Sequence, residues 1–417
     1  MSPHEGRRPV TVLGAGIVGI CTALSLLERG VPVTLVDRGA PGQETSMGNA
    51  GVVSPWSIIP QSLPGTWKSI PKLLFGYGRP LSIDARVLSR MIPWGMRFLR
   101  QGQEPKVRAV SEAMAHLCGP STEIFQKHLA GTGHEDLICD SMYIHAFRDS
   151  SRARLSDLEY RIRSEKGADI ELVGADALAA LEPALSRDFK AAVVIKGQSR
   201  ARSPGALGRV LAQKAKALGA KFVRAEVKAI SPDGTGWRLE AKGETFHAER
   251  LVVCLGVWSR EMLEKQGYDL PLMAERGYHL EFRAPGITLH NSVMDVDAKV
   301  VASSMENGVR VAGQAEFAPV DAPPNARRKD QLAQVAKAAF PDLQQGDATF
   351  WMGRRPSFPD SLPMLGASTR HKSLFFNFGH SHYGLMMAPK SGDVLAQTIC
   401  GQSPNFDLRP YATDRFV

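Results

Sequence analysis

The segment Val10 to Asp37, VTVLGAGIVGICTALSLLERGVPVTLVD, most limits what this chain can fold into. Val10, Val12 and Leu13 read as a buried parallel strand. The run breaks at Gly14-Ala15-Gly16-Ile17-Val18-Gly19, after which Val18, Cys21, Leu24 and Leu27 recur at helical spacing. Gly30 ends that helix, and Val33 to Val36 form a second strand finishing on Asp37. This strand, glycine turn, helix and strand closed by an acid form the fingerprint of a dinucleotide-binding βαβ unit. Gly14 permits the tight turn, Gly16 lets backbone approach a pyrophosphate, and Gly19 lets helix and strand pack closely. Ile17 and Val18 open the helix, whose free N–H groups and positive dipole end suit phosphates. Asp37 is placed to accept hydrogen bonds from a ribose. That acid argues against a 2′-phosphate, for which the adjacent Arg38 leaves only a small opening.

A length of 417 residues allows two or three domains with ample core. The net charge of +9 and pI near 9.3 favour anionic partners, although a basic surface without a specific partner explains them equally. The basic stretches lack the stacking-aromatic pattern of a single-strand binder, which argues against nucleic acid. Cys21, Cys118, Cys139, Cys254 and Cys400 are scattered and show no metal-type spacing. The expectation is therefore a reducing compartment and no metal. The opening MSPHEGRRPV leaves no room for a signal peptide before the first strand, and no run of about 18 apolar residues follows. A cytoplasmic address is expected.

Thr45-Ser46-Met47-Gly48-Asn49-Ala50-Gly51 forms a second glycine-rich loop whose hydroxyls and amides can reach phosphate or ring atoms. The pair GAGIVG…D and TSMGNAG resembles the D-amino-acid oxidase-type family of FAD flavoproteins, above all its bacterial D-amino-acid dehydrogenase branch. The resemblance implies that Thr45, Ser46, Asn49, Ala50 and Gly51 lie against FAD. In such a fold the strand Lys221 to Val227 returns to the nucleotide domain, and the Val227 backbone contacts adenine. Leu251 to Ser259 (LVVCLGVWS) resembles the second flavoprotein signature. There Gly256 lets the backbone pass close to the pyrophosphate, with Trp258 beside it and Cys254 as a small residue rather than a redox thiol.

The C-terminal third carries the rest of the match. Gly353-Arg354-Arg355-Pro356 through Gly366 is similar to a family segment in which the arginine matching Arg355 clamps the substrate carboxylate. A guanidinium suits that task because its planar fork donates two parallel bonds. On the residues alone, a structural ion pair between Arg355 and a nearby acid stays open, and Arg354 is expected to face outward. In Gly379-His380-Ser381-His382-Tyr383-Gly384-Leu385, the final helix opens at Gly384 toward the flavin ring, where its dipole stabilises reduced flavin. By the resemblance Gly353, Gly379, His380, Gly384 and Leu385 join the cofactor set. His382 departs from the family's usual residue and is a candidate reader of the substrate's amine or side chain. Tyr278, in Glu275-Arg276-Gly277-Tyr278-His279, matches a family tyrosine that faces substrate, while alternation turns His279 the other way. No cysteine lies between Phe375 and Pro389, so FAD is expected to be noncovalent.

Residues 55–105 interleave prolines with Trp56, Trp67, Phe75, Trp94 and Phe98 and with seven Lys or Arg from Lys68 to Arg100. Such a basic amphipathic stretch suits the wall and lid of a substrate domain, or a membrane interface. From Val107 to Leu129 one helix is predicted. The expected fold is α/β with α+β: a discontinuous Rossmann-like FAD domain (1–55, 200–257, 345–417) and an antiparallel-sheet substrate domain (56–199, 258–344). The expected activity is hydride transfer from the α-carbon of a D-amino or cyclic D-imino acid to flavin N5, with Arg355, Tyr278 and His382 at the substrate. A glycine- or sarcosine-type secondary-amine oxidase is the alternative. A quinone or respiratory-chain acceptor and peripheral contact with the inner membrane stay open.

Overall fold

The computed structural model describes residues 8–416. Residues 1–7, on which the expectation about a signal peptide rests, lie outside the described residues. The fingerprint folds as read: strand β1 (Val10–Leu13), helix α1 (Ile17–Leu27) and strand β2 (Val33–Asp37). β1 sits centrally in a six-stranded sheet, parallel to β2 on one side and to Leu251–Val253 on the other. Beyond these lie Lys221–Arg224 at one edge and Leu374–Phe378, then the antiparallel Met364–Ala367, at the other. The strand expected to run to Val227 ends at Arg224. Val227 instead opens the next strand, Val227–Asp233, in a separate three-stranded antiparallel sheet.

The final helix, Gly384–Ile399, packs on α1 so closely that a Cβ on Gly392 would lie 2.8 Å from Thr22 N. Ile20 and Leu24 share one buried core with Met387 and Val394 of that helix. The helix predicted from Val107 to Leu129 is two, Glu104–Cys118 and Ser121–Leu129. The break falls at Gly119-Pro120, where proline brings no N–H to continue the ladder. Val110, Met114, Leu117 and Phe125 from this pair also enter the α1 core.

A ten-stranded, mainly antiparallel sheet forms the second unit. Next to one edge lies Met273–Arg283, paired with Gly308–Phe317 on its inner side and with the edge strand Asp347–Ser357 on the other. The boundaries expected from sequence therefore shift. Asp347–Ser357 and Val52–Val53 belong to this sheet, and 104–129 packs with the nucleotide-side core. Helix α2 (Thr66–Phe75) and helix α3 (Leu88–Gln101) flank the sheet, each with a proline inside it, Pro71 and Pro93. Among the described residues no helix is long and apolar enough to cross a membrane.

Candidate functional site

Both sheets line a cavity of about 810 Å³. Its nucleotide end is the β1–α1 turn. Gly14 has φ +109° and a Cβ there would stand 2.5 Å from Cys254 O; a Cβ on Gly19 would stand 1.9 Å from Gly14 O. No larger residue fits either position. α1 opens on Gly16 without a side-chain cap, and among its first N–H groups Ile17's donates to Ser46 Oγ at 3.0 Å. Asp37 Oδ2 accepts from Ala15 N at 2.7 Å and Oδ1 from Gly39 N at 2.8 Å. Each oxygen keeps a second lone pair for a ribose hydroxyl. Arg38 pairs with Glu44 at 2.8 Å and lies 4.2 Å from the centre of the Trp258 ring. Arg354, expected to face outward, is tied inward: its Nε donates to Val320 O at 2.6 Å and its guanidinium lies 5.6 Å from the same ring. Gly256 and Val227 stand on the same wall.

The second glycine-rich loop is held from the other sheet. Arg310 Nη1 donates to Met47 O at 2.9 Å and to Asn49 O at 2.7 Å, while its Nε donates to Glu281 at 2.8 Å. His279 Nδ1 donates to Gly48 O at 3.0 Å, and burial beside Arg310 lowers that imidazole's pKa to about 3, so it is neutral. The Trp351 indole stacks on His279 at 5.0 Å and covers both Gly48 and Gly353, where a Cβ would come within 1.9 and 2.1 Å of it. Thr45 Oγ1 donates to Arg354 O at 3.0 Å, and Asn49 Oδ1 accepts from Gly51 N at 2.8 Å. Ala50 lines the cavity beside them. Arg310 and Trp351 went unnoticed in the sequence. Their signal was a cation and an aromatic opposite Glu281 and His279 in register, which only the pairing of strands reveals.

At the other end stands a carboxylate that sequence reasoning missed. Glu275 faces Arg355 directly across the strand pair. Its Oε1 accepts from Arg355 Nη1 at 3.1 Å and pairs with His382 Nε2, while Oε2 accepts from Ser357 Oγ at 2.9 Å. Burial alone would push this carboxyl's pKa up. The charge and hydrogen bond of His382, the charge of Arg355 and the Ser357 hydroxyl outweigh burial and hold it at about 2. Arg355 Nη1 also donates to Gln314 O at 2.8 Å. The guanidinium lies over Gly277, where a Cβ would sit 2.1 Å from Nη2. Among the described residues Nε and Nη2 have no hydrogen-bond partner, so one edge of the fork is open. Arg355 is thus both in the cavity wall and in the ion pair that the sequence left as an alternative.

The substrate-facing place expected for Tyr278 is corrected. Glu275, Gly277 and His279 share one face of their strand, so Tyr278 faces the opposite side. There it is buried in the core of the ten-stranded sheet, stacked on Phe350, with its hydroxyl bonded to Glu316 and accepting from Asn325 N. His380 likewise turns inward. Its Nε2 meets Ser391 Oγ at 3.1 Å, and burial lowers its pKa to about 3. Only its backbone, with Gly379, Gly384 and Leu385 at the head of the final helix, is left to face a ligand from the cavity wall. Cys254 is buried and burial raises its thiol pKa to about 12, which suits a packing residue.

The cavity fits FAD on its own chemistry. The nucleotide turn holds glycines where a side chain would fill the turn, an uncapped helix start and an acid for ribose. At the far end, the buried Ser381 Oγ and both polar atoms of the Gln314 side chain, on the same wall, have no partner among the described residues. The family model for FAD dependent oxidoreductases (DAO) matches residues 9–398. A D-amino-acid oxidase of Bradyrhizobium diazoefficiens is 35% identical over 425 residues, covering 99% of this chain and all of that one. Glycine oxidase from Geobacillus kaustophilus superposes with a TM-score of 0.74 at 21% identity over 99% of this chain and 100% of its own. L-proline dehydrogenase from P. horikoshii does so with 0.75 at 17%, over 98% of each chain. These two likenesses establish the fold, and FAD is the cofactor that the family shares. With a dinucleotide turn at one end, a carboxylate-held arginine at the other and a family match over nearly its whole length, the chain belongs to the DAO family of FAD-dependent oxidoreductases.

Proposed function

We propose that this chain oxidises the Cα–N bond of an amino acid bearing a free carboxylate, a D-amino acid or a cyclic, proline-like D-imino acid. The observation that carries the reading is Arg355, a guanidinium on the cavity wall with Nη1 taken by Glu275 and Gln314 and its Nε/Nη2 edge open. That edge presents two parallel N–H groups, the geometry a carboxylate accepts. The D stereochemistry is supported by the relative named D-amino-acid oxidase. Noncovalently bound FAD supplies the hydride acceptor when present.

The chain's residues bind and orient. Arg355 fixes the carboxylate, and Glu275 holds the guanidinium in place. Glu275 also holds His382 by Nε2, which leaves Nδ1 for the substrate's amine or side chain. Tyr278 borders the cavity, but its hydroxyl is engaged by Glu316 and Asn325 rather than turned to the substrate. The amine must carry a free lone pair, which forms the C=N bond as hydride leaves the α-carbon, so turnover rises with pH toward the amine's pKa.

The test is anaerobic bleaching of the flavin absorbance by D- and L-amino acids, D- and L-proline, their hydroxy derivatives and sarcosine. Selective bleaching by D-amino or D-imino acids is expected, with Arg355→Ala losing at least ~100-fold in kcat/KM (~2.7 kcal/mol). Bleaching by N-methyl amines alone would replace this reading with a glycine- or sarcosine-type secondary-amine oxidase.

A further inference from the structure

The outer surface of α2 and α3 is unlike the rest of the molecule. α2 carries Trp67, Ile70, Leu73, Leu74 and Phe75 yet has no buried residue, and α3 buries only Trp94. Each helix turns one apolar face to the cavity: Ile70 and Leu73 from α2, Met91, Trp94 and Phe98 from α3. Each then has a second apolar stripe pointing away. Trp67, Pro71 and Phe75 recur every four residues on α2, and Leu88, Ile92 and Met96 do the same on α3. Trp67 is 61% exposed, Phe75 78% and Ile92 60%. Outside residues 66–101, only Leu155, Leu172 and Leu218 are large exposed apolar side chains among the described residues.

Charge decides what covers this surface. From Thr66 to Gln101 the sequence holds one acid, Asp84, and that acid is bound by Arg86 at 2.7 Å. Lys72 reaches Asp297 at 3.2 Å. Lys68, Arg90, Arg97 and Arg100 have no acidic partner among the described residues and lie alongside the outer stripes. A protein partner or second copy would have to bring acids to these cations and apolar groups to the stripes. An anionic bilayer surface supplies both over any area, with headgroup charge outside and acyl chains just beneath.

We propose that the outer faces of α2 and α3 dock on an anionic phospholipid surface, their apolar stripes in the interface and their Lys and Arg side chains among the headgroups. The cavity wall made by the inner faces then rests against lipid. This inference stands apart from the choice of substrate, and its test reads binding rather than turnover.

The full-length, FAD-loaded protein is sedimented with vesicles of phosphatidylglycerol and phosphatidylcholine, and with vesicles of phosphatidylcholine alone. Binding is expected to the anionic vesicles only and to weaken as salt is raised. The exposed substitutions Trp67→Ser with Phe75→Ser, and Arg90→Glu with Arg97→Glu, should each weaken it at least ~10-fold. Leu172→Ser, exposed elsewhere, should leave it unchanged, and flavin content reports that every variant is folded. Equal binding to neutral vesicles, or none to either, overturns the proposal. A dimer that these same substitutions dissolve, without vesicle binding, would assign the surface to a second copy and overturn it as well.

Discussion

Glu275 is the residue on which the substrate end turns, because one buried carboxylate serves two basic side chains. Its folded pKa of about 2 lies below the ordinary 4.5, so its stabilisation is fully present above pH 4.5 and is lost as pH falls through that value toward 2. Glu275→Gln should cost about 3 kcal/mol in urea unfolding at pH 7, since it strips a half-buried guanidinium of its carboxylate. The gap from the natural protein should narrow steadily as the pH is lowered from 4.5 toward 2. Gly277→Ala tests the same cluster differently. Its Cβ would collide with Arg355 Nη2, the far end of a flexible side chain, so the arginine moves and the strand does not. KM for the amino acid should rise at least ~10-fold with flavin content unchanged. At this scale the place of Arg355 on the cavity wall was legible from its motif, whereas that of Glu275 was not. The alternation that turned His279 away from Tyr278 also places Glu275 with Gly277 and His279. An acid in an apolar strand reads as solvent-facing until the strand opposite it, with Arg355, is known.

Among the elements, α1 and its turn were readable because local chemistry dictates them. A Cβ on Gly19 meets backbone, which cannot step aside as the Arg355 side chain can. Gly19→Ala should therefore push α1 off β1 and lower the ratio of flavin to protein absorbance in the purified sample several-fold, against little change for an exposed control such as Gly131→Ala. Elements set by long-range pairing were harder to read. The apolar runs of Asp347–Ser357 and Leu374–Phe378 do not say which sheet each joins, and the division at residue 345 consequently put the first on the wrong side. The break at Gly119-Pro120 was visible as glycine and proline, but apolar spacing on both sides masked it.

For the whole molecule, the cavity is walled by both units, so a ligand that fills it stabilises them together. FAD added to apoprotein at 100 times its Kd should stabilise the fold by about 2.7 kcal/mol, seen as one thermal transition moving upward rather than two separating. A lower transition left unmoved by FAD would show that the ten-stranded sheet melts independently. The grip of Arg310, His279 and Trp351 on residues 47–49 bears on how such a chain can be re-engineered. Substrate range is commonly changed by exchanging one half of an enzyme for that of a relative. Here the seam does not follow the chain's division into halves. A graft of the ten-stranded sheet that leaves behind the loop Thr45 to Gly51 would set a foreign ring against Gly48 and strip the loop of its arginine. Recombination in this lineage should therefore succeed only when that loop travels with the sheet that holds it.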